Sequence, residues 1–139
     1  MIDIDNQTDY NVNETFLMTI LEYLTPKEIE LVITSNETIQ QINFEYRGVD
    51  KATDVLSFPY EEMPMVPLGS IVISMDYVVK KASELGHSID DEFSLLFIHG
   101  LLHLLGYDHE VDNGEMRKKE EELIMKFNLP KSLIVRTTE

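Results

Sequence analysis

The amino-acid sequence predicts a single α+β domain over residues 1–139, with a small mixed β-sheet packed by helices and one histidine-bearing helix buried across the sheet. Three observations predict it. Apolar periodicity switches between strand and helix in the order βαβαββααα. The stretch from Leu95 to Leu105 is apolar on nearly every side, as in a helix enclosed by protein. The chain has 139 residues, 43% of them hydrophobic, and shows no repeat, low-complexity tract or linker, so it suits one domain built on one core.

The elements follow in chain order. Residues 1–5 alternate apolar and polar, as a short strand does. Asn13 is placed to cap a helix whose apolar face is Phe16, Leu17, Ile20, Leu21 and Leu24, with Pro26 just past its end. Residues 28–34 are a strand with an apolar centre. Ser35 or Asn36 then starts a second helix running to about Arg47, with Ile39, Ile42 and Tyr46 inward. A polar turn over 47–53 precedes a strand at 54–59, and Pro59 marks its end or an edge position. After an acidic, proline-bearing loop at 60–67, Leu68–Ser74 form another strand. Ser74 caps a helix that ends at Gly86, with apolar members Val78, Val79, Ala82 and Leu85. Ser88, with Asp91 three residues on, resembles a capping box for the histidine helix. The last helix spans about Gly114–Phe127, with Met116, Leu123, Ile124 and Phe127 on one face. Its run from Arg117 to Glu122 reads as a solvated face, Glu115–Lys119 and Lys118–Glu122 standing at helical pair spacing.

Composition limits the chemistry. With no cysteine, disulfides and thiolate ligands are excluded, so any metal must use histidines and carboxylates. No segment is apolar enough for a signal peptide or a membrane span, and the expectation is a soluble cytoplasmic protein without a membrane partner. The formal charge is −15. Non-specific nucleic-acid binders carry basic surfaces, so contact with RNA here needs a local patch or the help of another protein. The plainest role of the acidity is solubility.

Three of the four histidines, His99, His103 and His109, fall within eleven residues. The first two are four apart, which on a helix stacks their rings on one face. Gly106 allows the helix to end at positive φ and the chain to turn back, bringing His109 beside the pair. An unpartnered buried imidazole costs roughly 1–3 kcal/mol, and one metal ion satisfies two of them at once. A three-histidine site with an open position suits a single Zn²⁺. The other way to satisfy the rings is by hydrogen bonds within a core. His87 lies outside this spacing and reads as a surface or capping-region residue. The spacing is also that of metzincin proteases, which carry Glu directly after the first histidine as general base. Here that position is Gly100, which argues against proteolysis.

A second polar constellation occupies residues 43–57. Arg47, where a helix meets a turn, has the chemistry to clamp a phosphate bidentately, or to pair on the surface with Asp50 or Asp54. Thr53 and Ser57 flank Asp54 and either bind substrate or serve a turn and a neighbouring strand. Asp54 itself suits capping or orienting better than ligation.

Together the two stretches resemble the YbeY family of bacterial metal-dependent endoribonucleases, or rRNA maturation factors. The resemblance rests on the gapless run His99-Gly-Leu-Leu-His103-Leu-Leu-Gly106-Tyr-Asp-His109, on Tyr46-Arg47, Asp50 and Thr53-Asp54-Val55-Leu56-Ser57-Phe58-Pro59, on Glu115-Met116, and on Gly86-His87-Ser88. It covers essentially the whole chain in order. Ala52 stands where the family usually has proline, and Ser70 where it usually has Asp. The resemblance implies a zinc-dependent, single-strand-specific endoribonuclease. It implies action in rRNA maturation, including the end of small-subunit rRNA, and in ribosome quality control, with the ribosome or ribosomal proteins as partners. It implies His99, His103 and His109 as metal ligands and Arg47 as the functional basic residue.

Two other functions compete. One is another metal hydrolase such as a peptidase, against which Gly100 speaks. The other is a non-catalytic ribosome-assembly factor with a structural metal, which the acidity suits. No residue stands out as general base. Asp108 and Glu110 are near the histidines in sequence and have the chemistry to orient one of them.

Overall fold

The computed structural model describes residues 1–108 and 113–130. Strands β1 (Ile2–Asn6), β2 (Ile29–Thr34), β3 (Val55–Pro59) and β4 (Gly69–Ser74) form one mixed sheet in the order β1-β2-β4-β3. β1, β2 and β4 run parallel, and β3 pairs antiparallel with β4 at the opposite edge from β1. The helices are α1 (Glu14–Leu24), α2 (Asn36–Arg47), α3 (Met75–Leu85), α4 (Ile89–Leu104) and α5 (Glu115–Lys126). The element order is the one the periodicity predicts.

Four helix starts use the predicted caps. The side chains of Asn13, Ser35, Ser74 and Ser88 accept hydrogen bonds from the backbone N–H groups of Phe16, Thr38, Tyr77 and Asp91. Each satisfies a donor that the first helical turn leaves open. Two helices end at left-handed glycines, Gly48 (φ 71°) and Gly86 (φ 73°).

The strand period of two divides the sheet into two faces. Leu31, Ile33, Ile71 and Ile73 join the larger core with residues of α1, α3, α4 and α5. Val32, Leu56 and Val72 meet Ile39 and Ile42 of α2 in a smaller cluster on the other face. Helix α4 therefore lies in the larger core, against the sheet and packed by α1, α3 and α5, with Phe93, Phe97, Ile98, Leu101 and Leu102 all nearly or fully buried. Its expected place across the sheet is the observed one.

The helix approaches the sheet closely at Gly100. A Cβ there would stand 2.9 Å from Ile71 Cγ2, 3.2 Å from Ser57 Oγ and 3.3 Å from Val55 Cγ2. The Ser57 hydroxyl also donates to the Gly100 carbonyl at 3.0 Å. The missing side chain is thus a packing requirement, and it explains why the proteases' glutamate has no counterpart at this position.

Three expectations need correction. Tyr46 is 68% exposed rather than inward, because α2 ends one residue later and its ring lies against Phe58 instead of entering the core. Val79 is 47% exposed, since α3 turns Met75, Val78 and Ala82 to the core instead. The run Arg117–Glu122 is not uniformly solvated, because Glu120 lies on the buried face of α5. The outer face of α5 pairs Arg117 with Glu121 and Lys119 with Glu122.

Gly100→Val is expected to lower the unfolding free energy by roughly 2–3 kcal/mol through overpacking against Ile71 and Val55, as read by urea denaturation. A variant as stable as the parent would contradict the close approach.

Candidate active site

Helix α4 fixes the first two histidines. His99 and His103 sit one turn apart, their ring centroids 4.8 Å from each other and their planes at 74°. Their Nε2 atoms are 3.2 Å apart. On the far side of the His99 ring, Nδ1 lies 3.0 Å from Glu120 Oε1 of α5. Glu120 is nearly buried, with 7% of its side chain exposed, against 29% for His99. A carboxylate accepts and does not donate, so the proton of the ring belongs on Nδ1 and the lone pair on Nε2.

Sequence reasoning does not single out Glu120. Its signal is nonetheless present, because Glu120 falls four residues after Met116 and three before Leu123 on the apolar stripe of α5. A carboxylate inside such a stripe needs a buried partner. Asp108, which sequence proximity suggests for an orienting role, lines the same cleft as the two histidines.

The end of α4 also forms as expected. Gly106 takes φ +100°. Its N–H donates to the His103 carbonyl and that of Tyr107 to the Leu102 carbonyl, both at 3.0 Å. These bonds close the helix just past His103. His109 and Glu110 lie outside the described residues. His87 closes the end of α3 through its backbone N–H, which donates to the Ala82 carbonyl.

The pair faces a cleft of about 400 Å³ that also includes Arg47, Asp54, Ser57 and Asp108. One wall is β3, an edge strand with no further strand beside its outer side among the described residues. Backbone bonds from Ser74 N to Asp54 O and from Tyr60 N to Leu68 O set the ladder phase. In that phase the main-chain groups of Val55 and Ser57 point to the open edge. The Val55 N–H is taken by the Asp54 carboxylate at 2.7 Å, the local capping role expected of Asp54.

Arg47 ends α2 and reaches the cleft with its guanidinium donating to Asn43 Oδ1 at 3.2 Å. Asn43 is buried, and its amide also donates to the Lys51 carbonyl, so it ties the arginine to the turn that follows. Asp50 accepts from Gln40. Ser57 lines the cleft, its hydroxyl proton committed to Gly100 and its lone pairs left to accept. Thr53 donates to Asp54 at 3.3 Å and is not part of the cleft wall. Ser70 shares the strand face of Val72, turned away from α4.

The donor set suits a metal ion. Two nitrogen ligands of a tetrahedral zinc stand roughly 3.3–3.4 Å apart, close to the 3.2 Å between the two Nε2 atoms. A histidine backed by a carboxylate at Nδ1 is the usual second half of such a site. Among the described residues no three His, Asp or Glu side chains gather as a ligand set.

Comparison with known proteins shows the family. Residues 2–128 match the family model described as endoribonuclease YbeY. A protein named endoribonuclease YbeY from Nautilia profundicola is 63% identical over 139 residues, covering all of both chains. Its namesake from Sulfurimonas denitrificans is 59% identical over 99% of each chain. The solution structure of a Thermotoga maritima protein matches with a TM-score of 0.64 at 28% identity, over 91% of this chain and 89% of the other. The chain belongs to the endoribonuclease YbeY family.

Long-range ¹H–¹⁵N spectra of the metal-free protein at neutral pH are expected to show His99 as the Nδ1–H tautomer, and Glu120→Ala is expected to shift it toward Nε2–H. The Nε2–H form in the parent would contradict the role given to Glu120.

Proposed function

We propose that the chain is a zinc-dependent endoribonuclease that hydrolyses phosphodiesters of single-stranded RNA. The enzyme class follows from its family. The observation that carries the reading is the pair of Nε2 atoms 3.2 Å apart in the same cleft as the Arg47 guanidinium.

His99 and His103, with His109, would hold one zinc ion. When bound, the ion supplies Lewis acidity toward a phosphoryl oxygen or an attacking water. Arg47 offers two parallel N–H donors to a phosphate and stabilises charge that develops on it. Asn43 restrains the arginine before substrate arrives, and Glu120 holds the His99 ring with Nε2 toward the cleft. Gly100 leaves no carboxylate beside His99 of the kind a peptidase uses as base.

The acidic surface bears on partners. A chain of net charge −15 gains little from RNA phosphates at a distance but complements the basic surfaces of ribosomal proteins. Such docking supports a role in rRNA maturation, including the end of small-subunit rRNA, and in ribosome quality control in the cytoplasm. Among the described residues no helix is long and apolar enough to cross a membrane. The same acidity favours one rival, an assembly factor that binds ribosomes and cuts nothing.

The test is cleavage of a defined single-stranded RNA by protein of known zinc content. Arg47→Ala is expected to retain zinc and lose roughly 10²–10³-fold in rate. His103→Ala is expected to lose both zinc and cleavage. Equal cleavage by His103→Ala and the parent would refute the metal-dependent reading. Zinc-loaded parent that binds ribosomes yet cuts no RNA would favour the assembly factor.

A further inference from the structure

Tyr46 has no role in the core and none in the chemistry above. It stands on the last turn of α2, 68% exposed, immediately before Arg47. Its ring lies 5.5 Å from that of Phe58, tilted by 55°. Phe58 belongs to β3, and its chain neighbours Ser57 and Pro59 both line the cleft. Tyr60, two residues on and just past the end of β3, is 39% exposed. Its hydroxyl donates to Glu30 Oε2 at 2.8 Å. An aromatic strip, exposed at Tyr46 and Tyr60, therefore adjoins Arg47 and the strand that walls the cleft.

We propose that Tyr46, braced by Phe58, is a stacking platform for a base of single-stranded RNA whose phosphate Arg47 holds. The inference rests on the RNA-cleavage reading of the site and adds a substrate-positioning residue to it.

Three arguments carry the proposal. The first is charge. With 11 basic against 26 acidic residues, the chain has few cations with which to line the kind of groove that usually tracks a nucleic-acid backbone. Stacking on an aromatic face adds affinity without a net charge and tolerates any base. The second is position. Tyr46 and Arg47 are consecutive, and a nucleotide offers a base and a phosphate side by side. The third is selectivity. Bases within a duplex have their faces covered by neighbours, whereas those of a single strand splay out onto aromatic rings. A platform at the mouth of the cleft would make the site prefer single strands without reading sequence.

Phe44 supplies a control. It is 59% exposed on the same helix but two residues away, hence on a different side.

The experiment combines binding and turnover. Binding of a fluorescent single-stranded RNA containing 2-aminopurine is measured with chelator present, so that cleavage does not contribute. Steady-state cleavage is measured with zinc-loaded protein. Tyr46→Ala is expected to weaken binding and raise KM about tenfold, to leave kcat within about threefold, and to lose the quenching of the 2-aminopurine. Tyr46→Phe is expected to restore all three, and Phe44→Ala to match the parent. Thermal denaturation of each variant checks the fold. Should the parent bind and quench but fail to cleave, the platform stands and the hydrolytic reading fails. Tyr46→Ala that binds and cleaves as the parent does, or a parent that binds no single-stranded RNA, overturns the proposal and assigns the strip to a protein partner.

Discussion

The contact of α4 with the strands β3 and β4 at Gly100 is the constraint on which the rest of the molecule depends. It lets the apolar stretch of α4 from Leu95 onward lie directly on the sheet, with no side chain between helix backbone and Ile71. The same contact places His99 and His103 beside the open edge of β3 rather than deep within the core. Ser57 joins the two elements with a hydrogen bond to the Gly100 carbonyl, so a wall of the cleft and the docking of the helix share one residue. A bulkier residue at position 100 would lift the histidines from the edge strand that faces them.

On this frame the site is assembled from elements far apart in sequence. Helix α5 contributes Glu120 behind His99, and α2 contributes Arg47, restrained by Asn43. Supporting partners set the direction of the groups that act: a carboxylate for an imidazole, an amide for a guanidinium. Such support matters because ligands and phosphate-binding groups act only within narrow geometric limits. The acidic surface leaves long-range attraction of RNA weak, which places the burden of recognition on the few groups around the cleft.

Much of the fold is legible in the amino-acid sequence, for identifiable reasons. Strand and helix periodicities are unambiguous, and the four caps Asn13, Ser35, Ser74 and Ser88 carry their own start signals. Gly106 announces the end of the histidine helix. What escapes is tertiary. Tyr46 falls on helical spacing with Ile39 and Ile42, yet the helix ends beside it and the ring meets Phe58 instead of the core. Glu120 sits within a charged run, where its place on the apolar stripe of α5 is a faint signal and its partner on another helix gives it a role. The site is legible to a similar degree. The histidine spacing and Arg47 mark a cleft that brings His99, His103, Arg47 and Ser57 together, while Thr53 remains with Asp54. The predicted place of His109 lies outside the described residues.

The most direct measurement is calorimetric titration of zinc into metal-free protein, in parallel for the parent, His99→Ala and His103→Ala, with each fold verified. The account predicts one tight equivalent for the parent and a loss of affinity of at least a hundredfold in either variant. Binding of equal affinity in all three would show that zinc does not use the histidine pair, and would contradict the metal site on which the functional reading stands.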